Sequence, residues 1–341
     1  MRSVYLTEPR KLEIRQEETP VPRDHELLVK IAYCGICTLE QRLYDGERKI
    51  YYPIIPGHEA SGTVVAVGSE VMTSVKVGDH VVLDLVNRCH SCPACLSGNS
   101  NLCENRFKKG QRVLGAFSEY MVVKPEQVQV IPDELPLDQA AFAEPLSCCI
   151  RSLRKAKAGL GDTVLVSGAG TMGLLHVKAA LAMGVRVIVT DIAKSRLDDA
   201  LAMGADFALD ASDSQVFVDT LRSLTHGRGV DSCIITTPSV CAVETAAKVL
   251  APGGTLNIYT SYGDKPVLPI DMNTIHRNEF VITGSEGRSE YDFNTSVRAL
   301  ANGKVVVDDL ISRIYPLDQA AQAVEAALSG KTYRVLLKME E

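Results

Sequence analysis

The stretch VLVSGAGTMG, residues 164–173, decides the fold. A β-branched run meets Gly168, Gly170 and Gly173 in the pattern G-x-G-x-x-G, and the chain continues as a helix-like segment, MGLLHVKAALAMG (172–184), ended by Gly184. The first glycine permits a tight turn, the second lets the backbone approach a pyrophosphate, and the third lets helix pack on strand. Thr171 and Met172 fall inside this turn, where the free N–H groups of a helix N-terminus face an anion. Asp191 ends the next expected strand, VRVIVTD (185–191), 18 residues after Gly173. A carboxylate there accepts hydrogen bonds from the ribose hydroxyls and repels a 2′-phosphate, which points to NAD rather than NADP. Arg196, five residues further on, pulls the other way unless it is a solvated helix arginine. A glycine turn with no nucleotide is the alternative; the complete strand–turn–helix unit with its acidic residue argues against it.

Around this unit, residues 141–285 alternate apolar runs (DFALDA, VDSCIITT, GGTLNIYT, FVITGS) with helical segments such as QVFVDTLRSLTHG and VCAVETAAKVLAPG. Such alternation with continuously apolar strands predicts a parallel sheet covered on both faces. Residues 1–140 read as strand-rich, with ELLVKIAYC (26–34), EASGTVVAVG (59–68) and DHVVLDLV (79–86) set between Gly, Pro and Asp turns. The tail, 286–341, shows one amphipathic helix, LDQAAQAVEAALSG (317–330), and a closing strand, YRVLLKM. No repeat or low-complexity tether appears, so the domains are expected to be nested. The chain has 341 residues, which suggests two domains at about 150 residues each.

With 46% hydrophobic residues the chain can bury a large core, and a net charge of −6 argues against nucleic acid or an anionic membrane as partner. The basic stretches RFKKGQR (106–112) and RSLRKAK (151–157) are short and read as solvated faces or a local anion contact. The first residues have no apolar core of a signal peptide, and no run reaches the ~18–20 apolar residues of a membrane span, so a cytoplasmic location is expected. Ten cysteines in that setting suggest metal ligation, catalysis or burial rather than disulfides.

Four of them, Cys89, Cys92, Cys95 and Cys103, lie within 15 residues as C-x2-C-x2-C-x7-C. Four thiolates so spaced suit a closed tetrahedral zinc site with no position for substrate, hence a structural zinc. An iron–sulfur cluster is the rival. His90, inside the loop, is read as a spectator. A second set is dispersed: Cys37, His58 with Glu59, and Glu144. A cysteine, a histidine and a carboxylate with an open fourth position is the pattern of a catalytic zinc.

The motifs CGIC, PGHEASGTVVAVGSEV, VGDHVV, the four-cysteine loop, EPLS, VSGAGTMG and APGGTL, in that order, resemble the zinc-dependent medium-chain dehydrogenases over essentially the whole chain. EPL and the chain length look most like the sorbitol, threonine and butanediol dehydrogenase branches. The resemblance implies an α/β protein: a mostly β, GroES-like catalytic domain (1–148, with a structural zinc lobe at about 86–106), an inserted NAD-binding Rossmann domain (149–285), and a C-terminal return (286–341). It implies Cys37 and His58 as catalytic zinc ligands, with Glu59 and Glu144 as candidates for the remaining positions. The segments TTPSV and TSYGD are expected to line the nicotinamide half of the cofactor site, bringing in Thr236, Thr237, Tyr259 and Ser261. The implied cofactors are NAD and two zinc ions per chain. The implied reaction moves a hydride between NAD and a secondary alcohol such as a polyol, sugar alcohol or diol. Relatives associate through Rossmann sheet edges, so a homo-oligomer is expected, a tetramer rather than a dimer. A ketone or aldehyde reductase, and a non-catalytic zinc and NAD sensor, remain as alternatives.

One departure from the family stands out. The relatives usually carry Ser or Thr two residues after the ligand cysteine and His five after it, as a proton relay; here those places hold Leu39 and Arg42, with Glu40 where an aspartate is usual. Thr38, read as part of an extended segment, would point the other way. The proton is therefore expected to pass to Glu59 or Glu144, or to Thr38 if a local helix turn brings it round. Cys34 is read as a buried strand cysteine, Cys148 and Cys149 as packing, Cys233 and Cys241 as Rossmann core, and His80 and His176 as satisfied structural histidines.

Overall fold

A computed structural model describes residues 1–48, 51–106, 114–263 and 266–340. Of RFKKGQR, all but Arg106 lies outside these residues, as does Asp264 of TSYGD. The chain divides into two units, Met1–Ser147 with Ser289–Glu341, and Cys148–Arg288.

The first unit begins with an antiparallel pair, β1 (Arg2–Glu8) and β2 (Lys11–Gln16). There follow β3 (Leu27–Ile36), α1 (Thr38–Tyr44), β4 (Glu59–Val67), β5 (His80–Leu83), α2 (Pro93–Leu96), β6 (Tyr120–Val123), β7 (Val128–Val130) and α3 (Leu137–Ala140). Strand β3 is the spine of the unit, pairing antiparallel with β4 and β6. Its apolar residues Leu27, Val29 and Ile31 are fully buried, each contributing about 1.5–3 kcal/mol by removal from water. The helix α1 was not expected: the four residues of IC-TL carry no apolar period, and what starts the helix is polar. Cys37 is the N-cap and Glu40 closes a capping box.

The helix α4 (Ala143–Lys155) carries the chain across the division at Ser147 and Cys148. The second unit then alternates β8 (Thr163–Ser167), α5 (Thr171–Ala182), β9 (Arg186–Asp191), α6 (Lys194–Ala202), β10 (Phe207–Asp210), α7 (Ser214–Leu224), β11 (Val230–Ile235), α8 (Val240–Val249), β12 (Leu250–Ile258), α9 (Met272–Asn278) and β13 (Val281–Gly284). All six strands run parallel in the order β10-β9-β8-β11-β12-β13. This is the dinucleotide-binding order, which reverses between β8 and β11 and opens a crevice beyond their carboxyl ends. The α/β fold expected from the sequence is thus observed. One detail differs: APGG does not cap α8 but continues directly into β12, since Leu250 and Ala251 find a buried place beside β11.

The return segment holds two helices, not one: α10 (Glu290–Ala301) precedes β14 (Ile311–Pro316), α11 (Ala320–Leu328) and β15 (Arg334–Lys338). Helix α10 has a sparse apolar stripe, Phe293, Val297 and Leu300; its readable signal is the capping box of Ser289 and Asp292. Strand β15 pairs antiparallel with β3, opposing Val335 to Ile36 and Leu337 to Cys34. The far end of the chain therefore lies beside CGIC.

Candidate functional site

In the second unit, Gly168 leaves β8 at φ +107, and a side chain at Gly173 would meet the Gly168 carbonyl oxygen at 1.8 Å. Only glycine fits either place. Gly170 is the N-cap of α5 and Thr171 its first residue, with Met172 following. Thr236 holds the turn, donating to the carbonyls of Ser167 (2.8 Å) and Gly168 (3.0 Å). The Asp191 carboxylate is fixed by backbone donors: Oδ2 accepts from Ala169 N at 2.8 Å, and Oδ1 from Ile192 N at 2.8 Å and Ala193 N at 2.9 Å. Arg196 lies beside it, Nη1 at 4.0 Å from Oδ2. A cavity of about 280 Å³ opens here, lined by Gly168, Asp191, Ser214, Thr237, Cys241 and Thr245 among others. Tyr259 follows β12, with its ring edge-on to His176, and Ser261 beyond it is exposed. A glycine turn at a helix N-terminus, a pinned carboxylate and an adjoining cavity fit a dinucleotide.

In the first unit, the sulfurs of Cys89, Cys92, Cys95 and Cys103 all lie within 4.8 Å of one another. Backbone N–H groups aim at them: Cys92 N at 3.3 Å from Cys89 Sγ, and Cys89 N and Asn105 N each at 3.4 Å from Cys103 Sγ. Donors from Ser91 and Asn105 lower the Cys89 thiol to about 5. Burial, with Cys92 and Cys103 beside it, pushes Cys95 up to about 12. Thiolates so close need a cation, and four of them at this spacing fit zinc.

The second cluster is assembled from distant segments. Cys37, at the end of β3, and His58 and Glu59, at the start of β4, bring ligand atoms within 4.8 Å of one another. The Cys37 Sγ to His58 Nε2 distance is 3.7 Å, and Glu144 Oε1, on α4, lies 3.9 Å from the same nitrogen. Glu40 organises the set from behind. Its Oε1 bonds His58 Nδ1 at 2.8 Å and Gly57 N at 3.3 Å, while Oε2 accepts from Cys37 N at 3.1 Å. That bond leaves Nε2 of His58 as the nitrogen facing Cys37. Arg334, on β15, is the counter-charge: Nη2 is 3.2 Å from Glu59 Oε1, and Nη1 donates to Ile36 O at 3.0 Å. The glycine of CGIC is explained here, because a side chain on Gly35 would meet Glu59 Oε2 at 2.0 Å.

This pocket is dry. Burial, then Glu40, pushes the Cys37 thiol up to about 12. Burial opposes charge on His58, but Glu40 and Cys37 outweigh it and raise its pKa. Burial also opposes ionisation of Glu40, yet His58 holds it below the usual carboxylate range. Glu59 rises to about 7, since burial and Glu144 together exceed the pull of Arg334. Burial and neighbouring carboxylates thus disfavour charge on Cys37 and Glu59, while Glu40 and His58 favour each other's; a thiol, an imidazole and carboxylates so gathered are a donor set that fits zinc.

Residues 23–133 match the alcohol dehydrogenase GroES-like domain, and residues 171–302 match the zinc-binding dehydrogenase family. A sorbitol dehydrogenase of Bacillus subtilis is 34% identical, over 94% of this chain and 92% of its own. The chain belongs to the zinc-dependent medium-chain dehydrogenases. Within them it falls in the sorbitol-like branch, and it is an oxidoreductase. A D-arabitol-phosphate dehydrogenase of Enterococcus avium is 31% identical over 94% of this chain and 91% of its own. Among solved structures, a Sinorhizobium meliloti 1021 protein described as a zinc-binding dehydrogenase and bound to NADP superposes with a TM-score of 0.91, at 29% identity over 99% of both chains.

Several expectations are corrected. Thr38 is not in an extended segment; it is the first residue of α1, and it is exposed. The Leu39 backbone N–H donates to Cys37 Sγ at 3.1 Å, so that the cysteine caps α1, while the Leu39 side chain packs on the core. Arg42 faces Glu47 at 3.8 Å. Cys241 is not core but exposed at the cavity, because the buried stripe of α8 runs through Val243, Ala246 and Val249. His80 is not satisfied: Nδ1 has no hydrogen bond among the described residues and sits 3.5 Å from Asp133. His176 is satisfied on one side only. Nδ1 bonds Met172 O at 2.6 Å, and buried Nε2 has no partner among the described residues. Cys34 and Cys233 are fully buried, and Cys149 is buried with Sγ 3.8 Å from Met172 O. Cys148 is half-buried. Sequence reasoning missed Arg334 and the role of Glu40. The capping-box spacing from Cys37 could have found Glu40; nothing local marks Arg334.

Proposed function

We propose that this protein oxidises polyols or diols with NAD, with Cys37, His58 and Glu144 or Glu59 as the residues that hold a catalytic zinc. The observation that carries the reading is the convergence of Cys37, His58 and Glu59 within 4.8 Å, with Glu40 orienting two of them from behind. Zinc at such a set supplies Lewis acidity toward an alcohol oxygen.

The chain's own residues do the rest. Glu40 holds His58 in one tautomer and orientation, and through Cys37 N it fixes where the thiolate stands. Arg334 keeps Glu59 buried as a carboxylate partner at the edge of the set. With Leu39 and Arg42 at the family's relay places, the alcohol proton is received by a carboxylate oxygen of Glu144 or Glu59, and Thr38 is the remaining hydroxyl candidate. The α5 N-terminus takes the pyrophosphate and Asp191 the adenosine ribose hydroxyls. Arg196, Thr236, Thr237, Tyr259 and Ser261 complete the cofactor side. The relatives named for sorbitol and for arabitol phosphate support a polyhydroxylated substrate, free or phosphorylated. Cys89, Cys92, Cys95 and Cys103 hold the second, structural zinc. The expected assembly is a homo-oligomer, a tetramer rather than a dimer; β13, the edge of its sheet among the described residues with Val281 exposed, is a surface that could pair between copies, and light scattering would measure the number of copies. A cytoplasmic location fits ten cysteines that are all free.

The test is NAD reduction by zinc-loaded protein across hexitols, pentitols, their phosphates and vicinal diols, with NADP and Cys37→Ser alongside. Turnover on one class that disappears in Cys37→Ser is expected. Turnover indifferent to Cys37, or none with both zinc ions and NAD bound, would overturn the reading.

A further inference from the structure

The four-cysteine lobe contributes no strand to any sheet among the described residues, and its leucines face water: Leu96 is 74% and Leu102 48% exposed. Apolar burial by those side chains therefore does little to hold it in place. Instead, one carboxylate from far along the chain reaches three points of the lobe. Glu290, the first residue of α10, places Oε1 at 3.4 Å from Arg88 Nε and 3.7 Å from His90 Nδ1, and its Oε2 accepts from Ser100 Oγ. Arg88 and His90 flank Cys89; Ser100 lies between Cys95 and Cys103. The two ends of the cysteine loop are thus gripped by the same group.

The grip is built on both sides. The backbone that carries Glu290 is fixed, because the reciprocal capping box of Ser289 and Asp292 sets the start of α10: Ser289 N and Oγ both donate to Asp292 Oδ2, at 2.9 and 2.5 Å. Asp292 is itself fully buried. On the lobe side, the Arg88 side chain is only 3% exposed and is also held by Asp84 at 2.7 Å. The guanidinium is therefore pinned between a carboxylate of the sheet and one of the return segment. His90 takes a left-handed backbone, φ +52, and so presents its ring beside Glu290. An isolated exposed ion pair contributes little; here one carboxylate faces a buried guanidinium and an imidazole at ion-pair distance and accepts a hydrogen bond from a hydroxyl, which makes a network rather than a single pair.

We propose that Glu290 is a positioning residue for the structural metal lobe: it docks the cysteine loop on the catalytic unit, and so sets how long the four thiolates retain their zinc. His90 then serves as one arm of this dock. The inference does not need the substrate or the cofactor to be as proposed above; it needs only that the four cysteines hold a metal ion.

The experiment follows zinc release from full-length holoprotein into a chromogenic chelator, with hydrogen exchange read at residues 87–106. Glu290→Gln keeps the shape and removes the charge, Ser100→Ala removes one arm, and Glu244→Gln on α8 is the control. The expected result is release of one zinc equivalent about tenfold faster in Glu290→Gln, equivalent to about 1.4 kcal/mol, with faster exchange confined to 87–106. A smaller change is expected in Ser100→Ala and none in the control. Glu290→Asp, shorter by one methylene, should recover part of the retention. Release and exchange unchanged in Glu290→Gln, or acceleration of both zinc equivalents alike, would overturn the proposal. Wild-type protein with no metal on the four cysteines would overturn the metal reading of the lobe instead, and the exchange measurement would still decide whether Glu290 docks it.

Discussion

The two cysteine-bearing sites of the first unit are made in opposite ways. The lobe takes all its donors from 15 consecutive residues and aims backbone N–H groups at its sulfurs. The Cys37 cluster draws its donors from three separate segments, with Cys37 on one, His58 and Glu59 on the next and Glu144 on the third, and surrounds its thiol with the carboxylates of Glu40, Glu59 and Glu144. The first arrangement satisfies a cation fully and leaves no room for a reactant. The second has an outer layer, Glu40 and Arg334, bonded directly to its donors, whereas Glu290 reaches the lobe at Arg88, His90 and Ser100 and not at a cysteine. Where ligands are local, chain connectivity does the positioning. Where they are not, neighbouring charges and a buried β-sheet must do it.

The sharpest way to break this contrast is to cut one thiolate from each. Cys92→Ser should lose one zinc equivalent and melt earlier while keeping turnover per zinc-loaded molecule. Cys37→Ser should lose the other zinc equivalent and all turnover, with little change in melting. Elemental analysis, calorimetry and steady-state assay together read this. Equal loss of turnover in both would mean the lobe is not purely structural. A second cut removes only the outer layer. Glu40→Gln should lower turnover or zinc affinity by about 10- to 100-fold, seen by kinetics and chelator competition, with no counterpart in the lobe. Away from both sites, Asp191→Ala should raise KM for NAD by about tenfold, the scale of losing charge-assisted hydrogen bonds, with kcat much less affected. Gly35→Ala tests the crowding at Glu59. It should cost about 1–3 kcal/mol of stability by overpacking, measured by urea unfolding, and Glu59→Gly on the same chain should recover part of it.

A further test concerns a buried group away from both cysteine sites. His176 is held at about 4, below its usual 6.5, because burial excludes the imidazolium. The unfolded chain binds the extra proton between those values and the folded one does not. Stability of the second unit should therefore fall as pH drops from about 6.5 toward 4, by up to about 1.4 kcal/mol per pH unit. In His176→Gln that slope should flatten. A slope unchanged by the substitution would assign the acid sensitivity to other groups.

Much of this was legible in the sequence where geometry is local. The turn at Gly168–Gly173 and the acid at Asp191 were readable because strand, turn and helix follow one another in the chain. The four-cysteine lobe was readable because its reach is short. Helix α1 was not, since its start depends on a thiol acting as N-cap. Nor was Cys241, whose exposure depends on which face of α8 meets the sheet. Helix α10 lacked a strong apolar stripe, and its polar capping box was the clue.

The amino-acid sequence by itself determined the two kinds of unit, the dinucleotide turn and the thiolate lobe, because each rests on residues within reach of one another along the backbone. Only the tertiary structure decided that Glu40 binds His58, that Arg334 meets Glu59, and that Glu290 grips the lobe. These are electrostatic contacts between residues 18, 275 and about 200 positions apart. Their partners carry no local signature; strand pairing and packing bring them together, and for the buried Glu40, Glu59 and Arg334 no solvent is at hand to neutralise the charge instead.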